Sequence, residues 1–298
     1  MSDGSFLACD WGTTNLRAWV IGEGGSVHAH QEFPQLGVSR LKPGEAARRF
    51  REEIRPALGA EGMPALLCGM VGSTLGWTVV PYRSCPAELA DLSAGLHTVE
   101  ADPLVRIVPG LKGPGVTAAS DVMRGEETQM MGLWGDGGSG WAVAPGTHSK
   151  WIRVEDGRIV SFRTFVTGEL FAAVSQSAIL SSSPDRAAGD DEAFSRGVER
   201  SLSDRAVTAA LFSVRAGMLG GRLAPEAAPD YLSGLLIGAE IAAQLQAAHA
   251  APVTLVGAPE LSRRYGMALE VAGLPRPEVA DAAEVTAKGL WRIWEART

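Results

Sequence analysis

LACDWGTTNLRAWVIGEGG (residues 7–25) sets an apolar run against an acid, a glycine, two threonines and an asparagine, then resumes apolar–polar alternation. The period-2 pattern predicts strands over 6–11 and 15–21 joined by the polar turn, and a third strand over 26–33 beyond the GEGG turn at 22–25. Further along, the chain repeats itself. CDWGTTNLRAWVIGEGGSV and VAPGTHSKWIRVEDGRIV both read strand, Gly-Thr turn, strand, glycine turn, strand, and Gly12-Thr13 is matched by Gly146-Thr147 at an offset of 134 residues. One Gly-Thr turn would mean little. Two, one opening each half of the chain, predict a duplicated architecture.

The remaining pattern fits that division. Ala47, Phe50 and Ile54 share one helical face that should end near Pro56, and 64–70 and 105–111 read as short apolar strands. Residues 123–134 are helix-like and run into GDGGSG (135–140), a glycine-rich break expected to separate an N-terminal lobe (1–135) from a C-terminal lobe (141–298) and to serve as a hinge. Beyond it, Asp156-Gly157 marks a hairpin turn, 181–191 a surface loop, DYLSGLLIGAEIAAQLQAAHA a long helix, and PVTLVG a strand before closing helices. A chain of 298 residues has room for two cores.

Composition narrows the partners. The formal charge is −7, and the 27 Lys and Arg are scattered, so no basic stripe exists to neutralise a nucleic acid. Apolar stretches are interrupted by Gly, Glu or Gln and the start lacks a signal-peptide pattern, which argues against membrane insertion or export and for the cytoplasm. Cys9, Cys68 and Cys85 are odd in number, have no CxxC spacing and are expected to be reduced thiols. A homo-oligomer stays open.

A tight turn of glycine followed by hydroxyl residues offers N–H and O–H donors to phosphate oxygens without net positive charge. Gly12, Thr13 and Thr14 in the first turn, and Gly146, Thr147, His148 and Lys150 in the second, are the candidate phosphate ligands. GxxxxGK[ST] is absent, so this is no Walker loop. The copies differ where the first has Asp10 and the second Ala144: one carboxylate suffices for Mg²⁺, and Asp10 is the candidate metal ligand. The plain alternative is a pair of ordinary polar hairpins.

These residues resemble a known family. The paired hairpins are similar to the phosphate-1 and phosphate-2 loops of the actin, hexokinase and heat-shock-70 ATPase superfamily. DWGTTNLRAW, GMVGSTLGW, MRGEETQ, PGTHSKW, FRTFVTGEL and SGLLIGAE resemble, in order, the signature blocks of 2-dehydro-3-deoxygalactonokinases. The resemblance implies an α/β fold of two ribonuclease-H-like lobes with an interlobe cleft that closes on its ligands. It implies ATP and Mg²⁺ as cofactors, and phosphorylation of 2-dehydro-3-deoxy-D-galactonate at its terminal hydroxyl. The gluconate epimer is the alternative substrate. A sugar-sensing regulator would be expected to add a DNA-binding helix-turn-helix, and a mechanical ATPase a partner-binding appendage; the chain length and the MRGEETQ block favour the kinase.

The implied substrate carries a carboxylate that a guanidinium can grip in a bidentate manner, which makes Arg17, Arg124 and Arg163 candidates. Asn15 lies on the same strand face as Arg17, whose plain reading is a cross-sheet ion pair. Ser73, Trp77 and Tyr82 could meet the polyol, although the two aromatics read equally as core. Gly257 and Ala258 fall where the superfamily's adenosine segment lies, with Gly-Ala replacing its frequent double glycine. Glu126, directly after Gly125, resembles the acid that supplies the general base in glycerol and xylulose kinases. Asp121 and Glu127 are the alternatives, and helix capping explains all three.

Overall fold

The computed structural model describes residues 4–114, 120–177, 189–248 and 251–297. Much of 181–191, expected to be a surface loop, lies outside them. The first half begins with three strands, β1 (Phe6–Trp11), β2 (Leu16–Ile21) and β3 (Val27–Phe33), followed by α1 (Glu45–Arg49), a π-helical turn (Phe50–Ile54) and α2 (Arg55–Ala57). The helical segment ends at Ala57, one residue past Pro56, as the sequence predicts. Next come β4 (Ala65–Gly69), β5 (Arg83–Ser84), α3 (Leu89–Ala94), β6 (His97–Val99), β7 (Asp102–Ile107), β8 (Leu111–Pro114), β9 (Ser120–Met123) and α4 (Glu126–Trp134). The second half runs β10 (Gly140–Ala144), β11 (Ser149–Glu155), β12 (Arg158–Phe165), α5 (Thr167–Ser175), α6 (Asp191–Ser203), α7 (Val207–Leu219), α8 (Ala228–Ala248), β13 (Val253–Val256), α9 (Pro259–Val271), β14 (Glu278–Ala280) and α10 (Ala282–Glu295).

The sequence repeat is a topological repeat. One sheet has the order β3-β2-β1-β4-β7-β6 and another β12-β11-β10-β13-β14. In the first, β1 and β2 pair antiparallel while β1 and β4, and β4 and β7, pair parallel; β10 pairs parallel with β13 in the second. A third, small sheet is β5-β8-β9. The central strands are apolar because both of their faces are covered, and Phe6, Leu7, Ala8, Leu66, Leu67, Val105 and Ile107 are fully buried.

The chain packs into two compact units, one of residues 1–139, 152–163 and 280–298, the other of 140–151 and 164–279. Two segments therefore join the first unit from the second half of the sequence. The β11–β12 hairpin tip does so through paired backbone bonds between Ala87 and Ile159 (3.0 and 2.8 Å) and through Gly157 N–H to the Gly138 carbonyl (2.9 Å). Helix α10, read from sequence as part of the C-terminal lobe, packs on α4 and on β1, β2 and β4. Trp294 stacks on Phe6 with centroids 4.4 Å apart, and α4 and α10 approach so closely at Gly132 and Gly289 that a side chain on either would strike the other helix's backbone.

Candidate active site

In the first unit, the turn between β1 and β2 is tied down by its carbonyls. Gly12 O accepts from Val38 N–H (3.0 Å), and Thr13 O accepts from Ser39 N–H (3.1 Å) and from Ser39 Oγ (2.7 Å). The N–H groups of Thr13 and Thr14 meet no acceptor among the described residues, and both side chains and Asn15 are exposed. Backbone donors left open beside a turn whose acceptors are taken can bind an anion. The sequence puts such a turn here because Gly12 N–H closes on Asn15 O (3.0 Å), reversing the chain between two apolar strands.

Asp10 lies one residue before the end of β1 and is the direct cross-strand partner of Arg17. Arg17 Nη2 donates to Asp10 Oδ2 at 2.7 Å, which leaves Oδ1 with only a long contact from Cys68 Sγ (4.0 Å). Burial pushes the Asp10 carboxyl above its ordinary range, Arg17 opposes that shift, and the charge of Glu126 adds to it. Glu126 is near because β4 runs parallel to β1 and ends at Gly69, whose backbone, at φ 86°, turns toward Gly125 at the start of α4. Glu126 is the first residue of α4 and its Oε2 accepts from Arg124 N–H (3.1 Å). Glu127 points inward: it is wholly buried, its carboxyl accepts from Gly125 N–H (2.7 Å) and Thr128 Oγ1 (3.1 Å), and burial raises its pKa to about 8. Asp121 is not a helix cap; it lies within strand β9, where its carboxylate accepts from Val122 N–H (2.8 Å).

Among the described residues no cluster of three or more His, Cys, Asp or Glu could hold a metal ion. Asp10, with Oδ1 available, fits the mode in which Mg²⁺ takes one carboxylate and keeps water and phosphate oxygens as its other ligands.

The three candidate arginines differ in their surroundings. Arg17 is committed to Asp10. Arg124 lies over the Tyr82 ring (4.4 Å to its centroid) and donates from Nη2 to Val80 O (2.7 Å), while its Nε and Nη1 are buried without an acceptor. Arg163 is half-buried on β12 and has a partner within the protein. Trp77 packs against the core and lies 5.4 Å from the Phe50 ring, and Ser73 Oγ donates to Met70 O (2.7 Å), so both take structural roles in this state.

In the second unit the turn between β10 and β11 is backed in the same way. Thr147 O accepts from Glu169 N–H (3.0 Å), and the N–H groups of Thr147 and His148 meet no acceptor among the described residues. Gly168, at the start of α5, makes this possible: a Cβ there would lie 2.5 Å from Gly146 O. In both units the buttress is the segment just after the third strand of the repeat. His148 is exposed with its ring on Glu169 (2.6 Å), and Lys150 is buried with Nζ donating to His148 O (3.2 Å), behind the turn.

A cavity of about 510 Å³ opens beside this turn. Gly146 and Thr147 form one wall, Thr167, Gly168 and Phe171 of α5 another, and Ser233, Leu236 and Ile237 of α8 a third; Ala258, Glu260, Leu261, Arg264 and Tyr265 complete it. Its size and mixed lining suit a nucleotide. Of the two residues expected at an adenosine, Ala258 lines the cavity and Gly257 does not; Gly257 lies against Pro145 and Ser262. Most of the lining escaped the sequence reading. The signal available was GAPEL followed by Arg264-Tyr265 at helical spacing, placing Glu260, Leu261 and Arg264 on one face of α9.

A duplicated sheet, each copy presenting a Gly-Thr turn with open N–H groups, defines the actin-like ATPase and sugar-kinase fold. The activator of 2-hydroxyisocaproyl-CoA dehydratase from Clostridium difficile, solved with bound ADPNP, shares this fold at a TM-score of 0.51 and 12% identity, covering 98% of this chain and 95% of that one. Within this class the chain belongs to the 2-keto-3-deoxy-galactonokinase family, which it matches over residues 10–293. It is 36% identical over 279 residues to the 2-dehydro-3-deoxygalactonokinase of Escherichia coli (strain K12), covering 92% of each. A protein named a probable 2-dehydro-3-deoxygalactonokinase from Rhizobium meliloti (strain 1021) is 38% identical over 299 residues, covering 96% of this chain and 95% of that protein. The crystal structure of a candidate 2-dehydro-3-deoxygalactonokinase from Sinorhizobium meliloti superposes at a TM-score of 0.86 with 38% identity, covering 97% of each chain.

Proposed function

We propose that this chain transfers the terminal phosphoryl group of ATP to the terminal hydroxyl of 2-dehydro-3-deoxygalactonate. Beyond family membership, the observation that carries the reading is the pair of buttressed turns, alike in backbone and unlike in charge, with Asp10 and Glu126 gathered at only one of them. Thr13, Thr14, Thr147 and His148 offer backbone N–H groups to phosphate oxygens, and the cavity beside Thr147 takes the nucleoside. Asp10 would hold Mg²⁺ directly or through water; the ion, when bound, supplies charge neutralisation on the transferring phosphoryl group.

Glu126 acts as the general base. Its first-turn position on α4, beside Asp10, lets it orient the acceptor hydroxyl and take its proton as the bond to phosphorus forms. Asp121, engaged by Val122 N–H on a different sheet, is the weaker candidate. For the substrate carboxylate, Arg124 is favoured over Arg17: it has two buried guanidinium nitrogens without an acceptor and no carboxylate partner, whereas Arg17, with one such nitrogen, already holds Asp10. Tyr82, stacked beneath Arg124 and partly exposed, supports that guanidinium.

A coupled assay of ADP release with ATP, Mg²⁺ and either 2-dehydro-3-deoxy-D-galactonate or its gluconate epimer tests the reading. Turnover that requires the galactonate-derived acid supports it. Turnover only with the epimer moves the substrate, and ATP hydrolysis indifferent to any sugar acid overturns the kinase assignment.

A further inference from the structure

A buried carboxylate beside the nucleotide cavity has no part in the chemistry above. Glu240 sits in the middle of α8 next to Ile241 and Ile237, and it is 2% exposed. Its two oxygens take four donors from three other elements. Oε1 accepts from Ser149 Oγ (2.7 Å) and Trp151 Nε1 (2.8 Å) on β11; Oε2 accepts from Tyr265 OH (2.8 Å) on α9 and from Thr167 Oγ1 at the start of α5. Burial pushes its pKa up while the four donated bonds pull it down. For helix packing alone, an apolar side chain of similar volume would serve α8 as well without a buried charge.

The donors explain why an acid is there. Ser149 is the first residue after the 146–148 turn, Thr167 precedes the Gly168 that supports that turn, and Thr167 and Tyr265 both line the cavity. A hydroxyl whose proton is given to Glu240 has only lone pairs left for the cavity.

We propose that Glu240 is a positioning residue of the nucleotide pocket: it ties the 146–148 turn to α5 and, through the buried Tyr265 hydroxyl, to α9, and by taking the proton of the partly exposed Thr167 it makes that part of the wall accept a hydrogen bond from the nucleoside rather than donate one. This rests on the ATP-dependent reading of the cavity.

Glu240→Gln separates the polarity of the wall from its shape. Trp151 Nε1 can only donate, so the amide oxygen must take the Oε1 place and the NH₂ must face Thr167 and Tyr265, whose hydroxyls then turn their protons elsewhere. The fold is kept and the wall reverses. The Kd of a non-hydrolysable ATP analogue, measured by titration calorimetry, is expected to rise about tenfold, with the melting temperature and the sugar-acid KM unchanged. Thr167→Val should weaken binding in the parent and add little in the Glu240→Gln background, a coupling that a purely structural glutamate would not produce. Glu240→Leu should lose affinity whether or not it melts earlier. Unchanged analogue affinity in Glu240→Gln, with the parent binding normally, overturns the proposal alone; a parent that binds no adenine nucleotide overturns the ATP reading and this proposal together.

Discussion

The two Gly-Thr turns share a backbone and differ in what stands behind it. At the same offset of 134 residues, Asp10 corresponds to Ala144 and Arg17 to Trp151. The first turn carries an ion pair, 2.7 Å long, on its two strands; the second replaces it with a small apolar residue and an indole whose N–H reaches the buried Glu240. Each turn is tied back by the segment after the third strand, through the Gly12 and Thr13 carbonyls in the first and the Thr147 carbonyl in the second. The difference teaches that the backbone turn is a property of the fold and was duplicated with it, whereas the carboxylate proposed for metal and the acid proposed for the acceptor belong to one copy.

Removing the charge from the first turn is the most direct way to break this contrast. Asp10→Asn should lower kcat by ~10³-fold or more, since a group acting on transition-state charge is lost, while Tm stays within a few degrees because the amide oxygen can still accept from Arg17 Nη2. Near-parent turnover at saturating Mg²⁺ would make the two turns functionally alike. Glu126→Gln should cost ~10²-fold or more in kcat with little change in the KM for ATP, and Asp121→Asn should leave kcat near the parent value; the reverse outcome moves the base to β9.

The buried glutamates extend the comparison to pH. Burial raises the pKa of Glu127 in the folded state to about 8 from its ordinary value of 4.5, so the folded state binds more protons than the unfolded one between those values. Stability from this group is therefore fully present below about pH 4.5 and is lost as pH rises toward 8. Denaturant unfolding at pH 5 and pH 8 should show the parent losing on the order of 1–3 kcal/mol more than Glu127→Gln; equal losses would remove Glu127 as a source of the pH dependence. The smallest expected effect is at the second turn. Gly168→Ala puts a Cβ 2.5 Å from Gly146 O and should raise the KM for ATP about tenfold or less with the sugar-acid KM unchanged. An equal rise in both would mean that the distortion is not confined to the nucleotide side.

What the sequence determined by itself is whatever depends on neighbours along the chain. The strands around both turns, the Asp156-Gly157 hairpin and the long helix α8 were legible because period-2 and period-3.6 patterns and glycine turns are local signals. The repeat made a duplicated architecture legible too, and the structure shows it as the shared strand order β3-β2-β1-β4 and β12-β11-β10-β13. The Asp10–Arg17 pair was within reach: counting back across a hairpin with a four-residue turn sets them opposite each other. Tertiary structure alone decided the rest. Helix α10 joins the first unit because its apolar face fits α4 and β1, a match between residues more than a hundred positions apart. The nucleotide cavity draws on α5, α8 and α9, and Glu240, an acid in the middle of an apolar helix, acquires meaning only when Ser149, Trp151, Thr167 and Tyr265 converge on it. Local pattern fixes which face of an element is buried; which partner that face meets, and where four donors find one carboxylate, is set by long-range packing that no window of sequence contains.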